Sequence, residues 1–187
     1  MSETQHITSE SISSREKLSI LPNSKWYVIY TWPRAEKVVY QELVKRGYES
    51  FLPMTKTLRI WKNRHKKLID LILFPGYIFV NTYEFELYNI KRLTKVVNFI
   101  HCGGKPSIVP FKDIECIKKM LSLNQDVTIE NEFYKGEKVK IIYGPLAGHE
   151  GILKKQKGKT RFGIQLKEIN QTVFIEVSAN VLEKIQS

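Results

Sequence analysis

Cysteine is almost missing from this chain. Cys102 and Cys116 are the only two in 187 residues, too few for a disulfide framework. No CxxC or Cys/His ligand cluster exists, so no metal site is expected. His101 beside Cys102 leaves a two-ligand metal pair or two free thiols as the alternatives. The other histidines, His6, His65 and His149, are scattered, and HExxH, GxSxG and phosphate-loop patterns are all absent. With no catalytic constellation, neither enzyme chemistry nor a cofactor is expected. Long apolar runs are missing too. The longest candidate, Leu68 to Val80, is broken by Asp70 and by Pro75-Gly76, well short of the ~20 residues that cross a bilayer. Met1 to Leu21 lacks a basic-then-apolar leader pattern. A soluble, cytoplasmic monomer with no membrane contact is the expectation.

Acidic residues are outnumbered. Thirty Lys+Arg against nineteen Asp+Glu give a net charge of +11, which implies an anionic partner, a nucleic acid or an acidic protein face. Two stretches concentrate the charge and contain no acid. Lys56 to Lys67 holds Lys56, Arg59, Lys62, Arg64, Lys66 and Lys67, and Lys154 to Arg161 holds Lys154, Lys155, Lys157, Lys159 and Arg161. Each is either a phosphate-binding surface or a solvated hairpin.

What is present is a change of period along the chain. Residues 1–24 are polar and Ser/Thr-rich and read as a disordered arm. A strand follows at Lys25–Thr31. Ala35, Val39 and Leu43 then repeat every four residues in a helix over Arg34–Arg46, with Gly47 as its stop. Glu49–Thr55 reads as a strand. Leu58–Trp61 and Lys67–Leu73 read as a hairpin with a charged tip, and Tyr77–Asn81 as a central strand. Glu84–Leu93 is a second helix, Val96–His101 a strand, and Phe111–Leu123 a third helix carrying Ile114, Ile117 and Leu121. Asn124-Gln125-Asp126 and Glu130-Asn131-Glu132 mark a polar linker over 125–133. Beyond Tyr134 no helical period survives. Short alternating runs at 137–142, 151–156, 161–166, 172–177 and 181–185 predict a small five-stranded β-barrel. The predicted class is α+β: an antiparallel sheet with flanking helices over 25–124, then the barrel over 134–187.

The most distinctive stretch is Phe74-Pro75-Gly76-Tyr77-Ile78-Phe79-Val80, a turn feeding a strand. A period of two puts Tyr77 and Phe79 on one face and Ile78 and Val80 on the other. The aliphatics suit a core and the aromatics an exposed, adhesive surface. Downstream, Gly136-Glu137-Lys138-Val139-Lys140-Ile141, then Gly144-Pro145-Leu146-Ala147-Gly148 and Gly151, form a glycine-punctuated unit. It lacks the Lys-Ser/Thr of a phosphate loop and lies between strands. Its glycines are expected to serve tight turns and the start of the next strand.

With the apolar run Trp26-Tyr27-Val28-Ile29-Tyr30 upstream, these segments in this order resemble the NusG family of transcription elongation factors over about residues 25–187. The resemblance implies an N-terminal NGN domain and a C-terminal KOW domain. It implies that an apolar depression on the first grips the clamp helices of the largest RNA polymerase subunit. Trp26, Tyr30, Trp32, Phe74, Pro75, Tyr77 and Phe79 are the matching residues, and the sequence leaves open which of Tyr77 and Phe79 is exposed. Non-template DNA or nascent RNA would face Tyr88, Lys91 and Arg92 in the second helix. That helix lacks the His-Thr-Thr pattern of the specialised factor RfaH.

Arg59, Trp61, Lys62, Arg64, Lys66 and Lys67 add a basic tip, with Trp61 for stacking. A solvated tip with Trp61 packed inward has equal standing. In the KOW domain, Phe162 and Ile169 fall in the stretch that would meet a small-subunit ribosomal protein or the termination factor Rho. The alternative is that Ile169 merely closes the barrel. Trp32-Pro33-Arg34-Ala35-Glu36-Lys37 and Leu58-Arg59-Ile60-Trp61-Lys62-Asn63-Arg64 resemble the UpxY group, operon-specific antiterminators of capsular polysaccharide loci. A general NusG and an RNA- or ribosome-binding KOW protein are the other two readings.

Overall fold

The computed structural model describes residues 24–60, 66–123, 125–131 and 135–185. Two antiparallel sheets carry the fold. The first is built from β1 (Lys25–Thr31), β2 (Glu49–Phe51), β5 (Tyr77–Thr82) and β6 (Val96–Phe99) in the order β2-β5-β1-β6, with β9 (Ile108–Val109) also pairing with β1. Helices cover both faces, which is why four successive residues of β1, Trp26 to Ile29, are buried. On one face α1 (Glu36–Lys45) and α2 (Leu87–Lys91) set Val39, Leu43, Leu87 and Ile90 against Tyr27, Ile29, Ile78 and Val80. On the other, α3 (Phe111–Ser122) sets Ile114, Ile117 and Met120 in one core with Trp26, Val28, Phe74 and Phe79. Cys116 is buried on α3, while Cys102 is exposed in the short ribbon β7 (His101–Cys102) and β8 (Lys105–Pro106). Between the sheet strands, β3 (Met54–Ile60) and β4 (Lys66–Ile72) pair, among the described residues, only with each other, Met54 opposite Ile72 through Ile60 opposite Lys66.

The second sheet corrects an expectation. Its strands are β10 (Val127–Glu130), β11 (Glu137–Ile141), β12 (Glu150–Gln156), β13 (Lys159–Leu166), β14 (Gln171–Glu176) and β15 (Leu182–Lys184). They run in the path β10-β14-β13-β12-β11-β15, and among the described residues no pairing joins β10 to β15. The result is a six-stranded open sheet rather than a closed five-stranded barrel. The sixth strand comes from the stretch that reads as linker. Val127 and Ile129 alternate there over too few residues to stand out, yet both pack on the core of the sheet. The expected arm, residue 24 apart, lies outside the described residues, as do 124 and 132–134.

The glycine-punctuated loop folds through two mechanisms. Gly144 and Gly148 take φ of +88° and +85°, the left-handed values that favour glycine, and the Gly148 N–H donates to the Ile141 carbonyl at 2.7 Å. Gly151 differs: it is wanted for close approach, since a Cβ there would sit 2.7 Å from ring carbons of Phe162.

The second sheet rests against α3. Lys119 Nζ donates to His149 Nε2 at 3.2 Å. Burial and then the Lys119 ammonium hold His149 below the ordinary imidazole value, against the opposing pull of Glu115. Burial raises Asp113 and Glu168, and Asp113 pushes Glu168 up further while Lys167 draws both back. The packed state therefore prefers neutral His149. Its contribution is complete above the free imidazole pKa of ~6.5 and is lost as pH falls through the depressed value. The carboxyls act in the opposite sense, their cost appearing as pH climbs through the raised values. We expect the Lys119–His149 contact to loosen on mild acidification, and His149→Gln to remove that step. Amide exchange in α3 against pH measures it.

Candidate polymerase and nucleic-acid surfaces

Phe74-Pro75-Gly76-Tyr77 closes a turn in which the Tyr77 N–H donates to the Phe74 carbonyl at 3.0 Å. Proline precedes a glycine at φ +86°, the pattern of a type II turn. Its amide corner is bonded on both sides. The Thr31 N–H donates to the Gly76 carbonyl at 2.9 Å, and the Gly76 N–H donates to the buried Glu36 carboxylate at 2.7 Å. Glu36 opens α1, so strand, turn and helix meet at one residue, Gly76. A Cβ on Gly76 would come within 3.0 Å of the Tyr30 ring. Glu36→Ala strips a buried N–H of its acceptor and is expected to destabilise the fold by about 1–3 kcal/mol. A lower urea midpoint at unchanged m would show this, with Glu36→Gln milder because it keeps an acceptor.

Around this corner the seven aromatic-face candidates divide. Trp26 (2% exposed), Phe74 and Phe79 (both 0%) are core, covered by α3. The adhesive face expected of the β5 aromatics is therefore largely internal. A third helix with apolar residues at 114, 117 and 120 has to cover something, and it covers this face. Tyr30 (39%), Trp32 (62%) and Pro75 remain exposed, and Tyr77 is half-buried with its ring 5.5 Å from that of Tyr30. Of Tyr77 and Phe79, then, Tyr77 is the accessible one. The Trp32 backbone N–H donates to the Lys95 carbonyl at 3.0 Å, which anchors the main chain beneath the exposed ring.

A second exposed group lies on α2 and the 3-10 turn before it. Tyr88 is 68% exposed, with the Arg92 guanidinium 5.6 Å from its ring centre, and Lys91 is exposed alongside. Sequence reasoning missed Phe85, 73% exposed and stacked on Tyr83 at 5.2 Å with planes 10° apart. Phe85, Tyr88 and Arg92 stand three and four residues apart, one helical face opposite to inward Leu87 and Ile90. That spacing was the available signal. Glu86 braces the base of the group, accepting from Tyr48 Oη at 2.7 Å and Asn89 at 3.0 Å. Burial, with the Glu86 hydrogen bond, pushes the Tyr48 phenol up to about 12.

The basic candidates fare unequally. Trp61, Lys62 and Arg64 lie outside the described residues; Arg59 falls in β3 opposite Lys67, and Lys66 and Lys67 are exposed in β4. In the second basic stretch, Lys154 and Arg161 turn onto Glu130, Arg161 at 2.9 Å, and Lys159 pairs with Glu176 at 2.6 Å. Lys155 and Lys157 stay exposed. Much of that cluster is thus internal cross-strand pairing, because a charge run along a strand meets whatever its neighbours present. Phe162 is fully buried beneath Gly151, which removes it as a docking contact, and Ile169 is half-buried against the same core. Among the described residues no group of three or more His, Cys, Asp or Glu could hold a metal, and no helix is long and apolar enough to cross a membrane.

Comparison with known proteins agrees with this architecture. The family model described as transcription termination factor NusG matches residues 24–118. The transcription termination/antitermination protein NusG of Halalkalibacterium halodurans is 25% identical over 175 residues, covering 86% of this chain and 98% of its own. That of Campylobacter jejuni is 29% identical over 177 residues, covering 86% and 97%. A solved structure of Thermotoga maritima NusG, concerned with its domain interaction, superposes with a TM-score of 0.51 at 21% identity over 88% of this chain and 98% of that one. That last likeness speaks for the fold alone. The match over residues 24–118 takes in both helical layers and the braced glycine turn, and the chain belongs to the NusG family of transcription termination and antitermination factors.

Proposed function

We propose that this protein binds RNA polymerase through the exposed aromatics at the braced turn and acts as a processivity factor without chemistry of its own. One observation carries the reading: Trp32, Tyr30 and Pro75 are exposed and Tyr77 is half-buried around a corner fixed by three backbone-anchored hydrogen bonds. Rigid aromatics bury much area at small entropic cost, so they make effective anchors for a helical partner. The clamp helices of the largest polymerase subunit are the partner we assign. Phe85, Tyr88, Lys91 and Arg92 suit stacking and charge contacts with unpaired nucleotides, so non-template DNA or nascent RNA passes along α2. The exposed lysines of the β3–β4 ribbon add sequence-independent phosphate attraction.

Capture of core polymerase by the full chain, competed by isolated clamp helices, tests the partner. Capture that the helices do not compete would place the contact elsewhere on the enzyme. We further propose service to one polysaccharide operon, on the strength of the segments 32–37 and 58–64. The near full-length match to general NusG proteins favours a second, housekeeping reading. Transcript profiles after deletion separate them: one long operon losing its distal genes supports the first, broad change the second.

A further inference from the structure

The chain leaves α3 at Ser122 and is caught again at Val127, where β10 begins. Only residues 123–126 bridge the two sheets' territories, a reach of at most ~14 Å. Were β10 to leave β14, the free segment would run from 123 to 136, with a reach of at most ~50 Å. Four residues therefore set how far the two halves can part.

The grip on the next four residues, those of β10, is built. Val127 lies opposite Ile175, Thr128 opposite Phe174, Ile129 opposite Val173 and Glu130 opposite Thr172. Val127 and Ile129 are half-buried on the sheet core. The Glu130 carboxylate accepts from Lys154 and, at 2.9 Å, from Arg161, which also donates to Thr128. Both cations lie over the Phe174 ring, at 5.5 and 4.6 Å from its centre. Lys154 and Arg161 side chains are only 17% and 13% exposed, so Glu130 sits where two largely covered positive charges converge. An idle linker, solvated on both sides, would need none of this.

We propose that β10 is a releasable strap: zipped to β14, it holds the second sheet against α3, and its release lets the two halves separate. The proposal does not depend on the polymerase reading. The Lys119–His149 contact is the seam that opens, and α3 gains its solvent face when it does. Burial would raise the Glu130 carboxyl, but the Lys154 and Arg161 hydrogen bonds outweigh it and hold it below the ordinary range. The strap is accordingly firm at neutral pH.

The test uses the full chain with residues 127–130 replaced by Gly-Ser-Gly-Ser, followed by small-angle scattering and by NMR titration of the His149 imidazole. We expect the radius of gyration to rise on the order of 20%. The His149 pKa should return upward toward the free value, and α3 amides should exchange ~10-fold faster or more. Unchanged scattering and an unchanged His149 titration would overturn the proposal. If the replaced chain fails to fold, Ile129→Cys/Val173→Cys in a Cys102→Ser background decides instead, since directly opposed antiparallel residues are within disulfide reach. Oxidation should slow α3 exchange relative to the reduced chain; equal exchange in both forms would overturn the strap as surely.

Discussion

Gly151→Ala should unfold the second sheet at markedly lower denaturant while leaving the first sheet intact. The methyl group would have to occupy space taken by the Gly163 carbonyl and by Phe162 ring carbons 2.7 Å away. The carbonyl belongs to the register that pairs Ile152 with Gly163, so it cannot retreat without breaking the ladder. Phe162 is fully buried, so its ring has nowhere to turn. Overpacking of this kind costs about 1–3 kcal/mol, and a backbone clash belongs at the upper end. For a unit of this size that corresponds to a fall in Tm of roughly 10 °C or more. Gly148→Ala is the control. Nothing lies within 4 Å of a Cβ there, so only the cost of its φ of +85° remains, roughly 1 kcal/mol. Amide exchange resolved by strand distinguishes the two sheets. Equal effects of the two substitutions would mean the sheet tolerates a side chain between β12 and β13.

Trp32→Ala should weaken polymerase binding by roughly 30-fold, about 2 kcal/mol, the scale at which an anchoring aromatic dominates an interface. The stability of the free chain should hardly change, because Trp32 is 62% exposed and its contact with Lys95 runs through the backbone. That separation makes the result readable. Phe74→Ala would reduce binding as well, but by emptying a core position, since Phe74 is wholly buried against Phe79 at 5.7 Å between ring centres. A Trp32→Ala protein that folds normally and binds with full affinity would shift the polymerase contact away from the braced turn. Titration calorimetry with isolated clamp helices, beside thermal melts of the same samples, measures both halves.

Local pattern was enough to recover most of the first sheet and its helices, but not β9, and the expected strand Glu49–Thr55 divides at Leu52-Pro53 between β2 and β3. Lys25–Thr31 emerges as a strand with the expected bounds, and Ala35, Val39 and Leu43 do face the core. The alternation through Tyr77, Ile78, Phe79 and Val80 also distributes the side chains as the period of two requires. Which face is wet was not legible there. That depends on α3, thirty residues later in the chain, folding back over Trp26 and Phe79. The same limit explains β10. Val-Thr-Ile-Glu has the composition of a strand, but four residues acquire a partner only through a pairing about 45 residues distant. Phe162 is buried for a related reason: a family likeness marks a stretch of chain without saying which way each side chain turns, and Gly151 on the neighbouring strand leaves room for its ring inside. Phe85 could have been found by asking which aromatics fall off the inward helical stripe.

The two thiols end up in opposite circumstances. Cys102 is open to solvent, whereas Cys116 is fully buried on α3, its thiol pushed up to about 12 by burial and by the neighbouring Asp113. An alkylating reagent at neutral pH should therefore count one sulfur in the folded chain and two once α3 lifts from its sheet. Nature has left the protein with its own mass-spectrometric gauge, in which the second adduct reports that helix's departure and the first serves as internal standard.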